Sequence, residues 1–238
     1  MILSAAQSRP WAFQPQGDRC LILVFGEHID VSIGRRCATA ASLLRVSGID
    51  GITDVVPTFN SVAVHYHPAS GNTKGQLNAL MQEITNTLDA ADLDAGSKSA
   101  REIEIPVCYG NEYGPDLQSV AEHCGLSQER VIELHSGAAA YVFMLGFAPG
   151  APYIGVHDEL LAIGRRATPR TVVPAGSVAI ANRQTMIYPN ASPGGWHLIG
   201  RTPVTLFDPT RNPATLLSPG DTVRFVPVST AEFKAMGN

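Results

Sequence analysis

The chain reads as an α+β protein, a small two-layer sandwich followed by a compact β-barrel or sandwich. Three observations carry that reading. Between residues 19 and 92 the pattern runs strand, short strand, helix, strand, strand, helix, the order expected when helices return to one face of an antiparallel sheet. Residues 90–101 (AADLDAGSKSAR) are small and polar, as a linker is. Beyond Tyr141 no long helical period exists. Short apolar runs such as RTVVPAG, SVAIA, VTLFD and DTVRFVPV alternate with turn residues instead.

These patterns predict a lead-in over 1–18, a ferredoxin-like α+β domain over 19–92, a linker over 93–101 and a barrel domain over 102–238. RCLILVF (19–25) predicts the first strand, with a second short one near His28–Ile33. Gly34 to Gly48 predicts a helix, because Cys37, Ala41 and Leu44 share one face at i, i+4, i+7. ITDVVPTF and SVAVHYH predict paired strands, and the alternation of Val62, Val64 and Tyr66 predicts one covered face. Thr73 and Gln76 form a capping box for a helix whose stripe is Leu77, Leu80, Met81, Ile84 and Leu88. In the second half, REIEIPVCY alternates as a strand. Pro115 is placed to open a helix that Gly125 stops, and Ser127 caps another that ends at Gly137.

Composition narrows the function. With 238 residues, 45% of them hydrophobic, the chain can bury a sizeable core. A formal net charge of −4 argues against a nucleic-acid surface. The first twenty residues lack the basic start and apolar run of a leader, and no run of 18 apolar residues predicts a membrane span. The four cysteines, Cys20, Cys37, Cys108 and Cys124, form no CxxC pair. They read as reduced packing residues of a cytoplasmic protein, with no metal site.

The chemistry concentrates in Gly146–Pro203. These residues hold 8 of the 22 glycines and 7 of the 17 prolines, with five arginines, no lysine and two acids. Such a backbone is stiff, and arginine forks set on stiff turns suit a carboxylate or phosphate. GFAPGAPYIG (146–155) reads as a ligand-presenting loop or a plain turn, and SPGGW (192–196) as an anion-wrapping turn or a hairpin over a buried tryptophan. Neither fits a P-loop or a dinucleotide fingerprint. Among the arginines, Arg170 and Arg201 are bracketed by proline and glycine and are the first candidates for an anion, ahead of Arg165, Arg166 and Arg183. His135, at a helix end, is a candidate general acid or base or a simple helix-terminus cation. His65 and His67 share a strand face and read as solvated.

The blocks IEIPVCYG, GPDLQSVAEHCGLSQERVIELHSG, GFAPGAPYIG, TPRTVVPAGSVAIANRQTMIYP and SPGGWHLIGRTPVTLFDP resemble the 5-oxoprolinase B-subunit family (PxpB), also called KipI or allophanate hydrolase subunit 1. The resemblance spans residues 20–228. It implies a cyclophilin-like barrel after an α+β domain, and one member of a cytoplasmic complex that uses ATP with Mg to open 5-oxo-L-proline to L-glutamate. It further implies two partners, a C-subunit relative of the KipA or allophanate hydrolase subunit 2 type and an A-subunit. The alternatives it carries are inhibition of a sensor histidine kinase by contact, and an allophanate- or urea-type amide substrate. Roles in catalysis fall on His135, Arg170 and Arg201. Substrate contacts fall on Phe147, Pro149, Gly150, Tyr153, Pro174, Gly176, Ser177, Gln184, Tyr188, Ser192, Gly194, Gly195 and Trp196. Backbone N–H groups of Gly194 and Gly195 would hold developing negative charge, with Phe147, Tyr153 and Trp196 shielding it. The sequence departs from the family pattern at Ala151, where phenylalanine is usual, and at Ala179, Asn182 and Met186, where glycine is usual.

Overall fold

The computed structural model describes residues 9–67, 73–95 and 101–237. Two compact units divide the chain, Met1–Lys98 and Ser99–Asn238.

In the first unit the strands β1 (Ala12–Gln16), β2 (Cys20–Val24), β3 (Ile52–Pro57) and β4 (Ser61–Tyr66) form one antiparallel sheet in the order β1-β2-β4-β3. Two helices, α1 (Val31–Val46) and α2 (Thr73–Asp89), pack with it. The predicted stripes build the core. Cys37, Ala41 and Leu44 of α1 meet Leu80, Ile84 and Leu88 of α2 and the covered strand face of Leu21, Leu23, Val62, Val64 and Tyr66. Burial pushes the Cys37 thiol up to about 12, so it packs rather than reacts. The four cysteines are free thiols. His65 and His67 lie on the opposite, exposed face.

Two expectations need correction here. The lead-in is structured from residue 12, where β1 pairs along β2 and Trp11 is buried in the core. No strand forms near His28–Ile33. The Asp30 carboxylate accepts N–H groups of Ser32 (2.7 Å) and Ile33 (3.4 Å), so α1 starts at Val31. The Thr73 half of the proposed capping box falls outside the described side chains.

The second unit holds the strands β5 (Glu102–Tyr109), β6 (Ala140–Leu145), β7 (Pro152–Gly155), β8 (Arg170–Val173), β9 (Ser177–Ala181), β10 (Gln184–Ile187), β11 (Ser192–Gly194), β12 (His197–Arg201) and β13 (Thr222–Pro227). Seven of them form a closed barrel in the order β10-β7-β6-β13-β5-β12-β9. The barrel closes by parallel pairing of β5 with β13, from Glu102 opposite Thr222 to Val107 opposite Pro227. Ile105, Val107, Val142, Ile154, Val178, Ile180, Ile187, Ile199, Val223 and Phe225 fill the interior. RTVVPAG gives β8, which lies outside the barrel and pairs with β11 as a separate ribbon. VTLFD gives no barrel strand, and Phe207 makes an isolated bridge to Thr215.

The helices α3 (Leu117–Cys124) and α4 (Gln128–Ser136) follow β5. Gly125 ends α3 in the left-handed conformation, and Ser127 caps α4 through the Arg130 N–H. Pro115 is not the first helical residue. It precedes Asp116, which stands at the N-cap. The last helix, α5 (Thr230–Met236), opens on a full capping box of Ser229 and Glu232. Among the described residues no helix is long and apolar enough to cross a membrane.

Candidate functional site

An aromatic cradle forms on one outer face of the barrel. Alternation along β9 and β10 sends Val178, Ile180 and Ile187 inward and leaves Ala179, Ala181, Met186 and Tyr188 in a second apolar cluster with Val173, Trp196 and Leu198. Tyr153 packs against this cluster, its ring 5.9 Å from Trp196 in an edge arrangement. Phe147 stands at the lip, 63% exposed, with its ring edge-on to Tyr188 at 6.2 Å. Four of the predicted contact residues, Phe147, Tyr153, Tyr188 and Trp196, are thus neighbours.

The backbone around SPGGW is set by Tyr188. The Tyr188 hydroxyl sits beside the Trp196 backbone. A Cβ at Gly194 would run into that hydroxyl and its ring. Gly194→Ala is therefore expected to displace Tyr188 and disturb Trp196, read as a change in tryptophan fluorescence and a lowered melting temperature. Unchanged emission and melting would count against this packing role. Burial, reinforced by Tyr153, raises the Tyr188 phenol, so it stays protonated.

The cation of this cradle is Arg165. Its guanidinium lies 5.8 Å from the Trp196 ring centre and pulls against the upward shift of both Tyr153 and Tyr188. It makes no ion pair among the described residues. Its neighbours fix its place, since His197 Nε2–H donates to the Gly164 carbonyl (3.1 Å) and the Arg166 N–H donates to the Gly195 carbonyl (2.8 Å).

Arg170 has a different task. Asp116 is 5% exposed and takes both terminal nitrogens of Arg170 (2.8 and 2.7 Å), one from Arg166 (3.0 Å) and the Leu198 N–H (2.7 Å). Burial pushes the Asp116 carboxyl up. Hydrogen bonds from Arg170 and Leu198 and the charges of both arginines outweigh that and hold it below the usual range. The pairing of Arg170 with an internal carboxylate corrects its assignment as a free anion clamp.

His135 is corrected as well. It is fully buried in the barrel rather than facing a loop. Tyr109 Oη lies 2.7 Å from its Nδ1, and Thr185 Oγ1 lies 2.8 Å from its Nε2 and 2.6 Å from His157 Nε2. The two imidazoles stack at 4.8 Å. Burial holds both well below the ordinary value, His157 at about 4, so the pair is neutral and closed to substrate.

The remaining candidates scatter. Pro149 and Pro174 are exposed, while Ser177 and Gln184 are buried. Gly150 is buried, and a Cβ there would press on Phe207. Ser192 sits opposite Val173 with its hydroxyl buried. Gly176 and Arg201 line a separate cavity that includes none of the cradle's aromatic residues. The two arginines first in line, Arg170 and Arg201, do not converge.

The departures from the family pattern fall in this region. Ala179 and Met186 are buried in the cradle's apolar cluster. Ala151 is fully buried. Asn182 sits with positive φ (51°) in the β9–β10 turn, a conformation asparagine tolerates better than most residues.

Residues 11–217 match the carboxyltransferase domain, subdomain C and D. The chain belongs to this family. It is 39% identical over 229 residues to the 5-oxoprolinase B-subunit of Bacillus subtilis (strain 168), covering 92% of this chain and 93% of that protein. It is 57% identical over 134 residues to the 5-oxoprolinase B-subunit of Escherichia coli O157:H7, covering 56% of this chain and 62% of that one. The solved structure of TTHA0988 superposes with a TM-score of 0.74 at 38% identity. That alignment covers 89% of this chain and 40% of TTHA0988, so the chain spans well under half of that longer protein. Within this carboxyltransferase-domain chain, residue 217 closes the matched region before β13, the strand that completes the barrel.

Proposed function

We propose that this chain is one component of an ATP-dependent enzyme that opens 5-oxo-L-proline to L-glutamate, acting with A-subunit and C-subunit relatives. The observation that carries the reading is the 39% identity to a 5-oxoprolinase B-subunit along 93% of that protein. The cradle supports it with chemistry suited to the substrate. A lactam acid has a flat, mostly apolar ring and one carboxylate. Phe147 and the half-buried Tyr153, backed by the buried Tyr188 and Trp196, offer the ring an apolar wall, and Arg165 offers the carboxylate an unpaired fork. Phe147 at the lip limits water.

A lactam resists hydrolysis because its amide is resonance-stabilised and its nitrogen leaves poorly. ATP supplies the activation of the carbonyl oxygen in this reading. The cradle suits an oxyanion but places no carboxylate cluster for Mg²⁺. Among the described residues no group of three or more His, Cys, Asp or Glu side chains could hold a metal ion. Arg165, Tyr153 and Phe147 bind and orient over the buried Tyr188 and Trp196, and the nucleotide falls to the assembled complex.

The test is reconstitution. The chain, co-purified with its A-subunit and C-subunit relatives, should release phosphate from ATP in proportion to added 5-oxo-L-proline. Arg165→Ala should raise the KM for the lactam about 10- to 100-fold, the value of a lost charged hydrogen bond, with the complex still assembled. A complete complex showing no lactam-dependent ATP turnover sinks the proposal.

A further inference from the structure

Arg201 stands apart from the cradle. It ends β12 and lines a cavity of about 430 Å³ together with Tyr113, Gly176, Thr202, Val204 and Phe233. Its Nε–H donates to the Ala175 carbonyl at 2.8 Å, which aims the guanidinium. Its two terminal nitrogens carry no hydrogen bond or ion pair among the described residues. Gly176, with φ of 78°, lets the chain pass close to Thr202, where a Cβ would strike the Thr202 carbonyl. The rings of Tyr113 and Phe233 lie 4.4 Å apart at 44° and form an apolar wall. The capping box at the start of α5 holds Phe233 in that wall. Among the described residues no acidic side chain lines the cavity.

We propose that this cavity is a second ligand site, for a small carboxylate carried on a flat apolar body. The inference does not rest on the oxoprolinase reading. A guanidinium fork presents two parallel donors to a planar carboxylate. The neighbouring aromatic wall accepts a flat apolar body and gives little to a free inorganic ion. A phosphate would draw on several donors, whereas Arg201 is the sole charged residue lining the cavity among the described residues. A neutral ligand would leave the fork unmatched. The volume falls in the range of small-molecule sites, roughly 300–1,000 Å³.

The experiment is direct binding to the full chain by titration calorimetry, with benzoate, 5-oxo-L-proline and inorganic phosphate as probes. Benzoate should saturate a site whose occupancy depends on Arg201, and phosphate should bind there at least about tenfold more weakly. Arg201→Ala and Arg201→Lys should each weaken benzoate, the alanine about 10- to 100-fold. Phe233→Ala, on a surface helix and least able to disturb folding, should weaken it severalfold. Arg130→Ala, on an exposed face of α4, should leave benzoate binding unchanged. Displacement of benzoate by 5-oxo-L-proline supports the site and names the lactam acid as one source of the carboxylate. Intact benzoate binding without displacement supports a different carboxylate. Absence of benzoate binding, or binding unmoved in both Arg201 variants, overturns the proposal, as does loss in Arg130→Ala. Failure of the oxoprolinase reading would appear in the turnover assay and not in this one.

Discussion

Acidification from pH 7 to pH 4.5 is expected to lower the melting temperature of the barrel by about 10 °C. His135 and His157 titrate lower in the folded barrel than the ordinary value near 6.5, because burial disfavours the imidazolium. Between the two values the unfolded chain binds more protons than the folded one. Their contribution is thus fully present above about pH 6.5 and lost as the pH falls toward 4. For His157, held at about 4, the loss amounts to about 3 kcal/mol. At roughly 2–4 °C per kcal/mol for a unit of this size, that accounts for the expected shift. Tyr109, Thr185 and Arg183 surround the pair, and none is acidic. No carboxylate therefore compensates the new charge. The replacement His157→Gln should flatten the curve between pH 6.5 and 4.5. A melting temperature constant across that window in the wild-type chain would contradict the neutral buried pair.

Asp116→Asn should cost about 2–3 kcal/mol and leave Arg165 poorly placed. Removing one partner from a fully buried ion pair costs about 3–5 kcal/mol, and a value at or just below the bottom of that range applies here because Arg166 and Arg170 keep part of their side chains in solvent. The carboxylate ties the start of α3 to β12 through Leu198 and to β8 through Arg170. Its loss frees Arg166 and, through the Arg166 N–H bond to Gly195, the segment that carries Arg165. The expected signature is a lower melting temperature together with a changed Trp196 environment. Because the Asp116 carboxyl is held below its usual range, its contribution is present above the unfolded value and is lost in stronger acid than the histidine window. A variant that melts like the parent would show that the three-way ion pair is energetically idle.

How much of this was legible in the sequence depends on what each signal sees. SVAVHYH and the helix stripes announced themselves because one face of each is buried, and burial on one face is what makes a period. β1 escaped because it is an edge strand whose side chains are mostly exposed, so no alternation marks it. The strand expected near His28–Ile33 failed on one residue, since an aspartate that caps a helix turns the same letters into a helix start. The aromatic half of the cradle was visible in GFAPGAPYIG and SPGGW, where the ring residues sit on stiff turns. The charged half was not. Local composition ranks Arg170 ahead of Arg165, and only Asp116, some fifty positions earlier, shows that the Arg170 fork is already spoken for. His135 looked like a helix-end cation until Tyr109, Thr185 and His157 arrived from three other strands or loops to enclose it. Contacts of that range leave no trace in spacing.

The side-by-side, same-direction pairing of β5 and β13 has a consequence for biosynthesis. A ribosome delivers Glu102 long before Thr222, so the nascent chain must keep two unpaired strand edges open while some hundred residues emerge. During that interval the half-built cylinder is exposed to mispairing with other chains. Release of its final strand, rather than any earlier step, is the event that seals it.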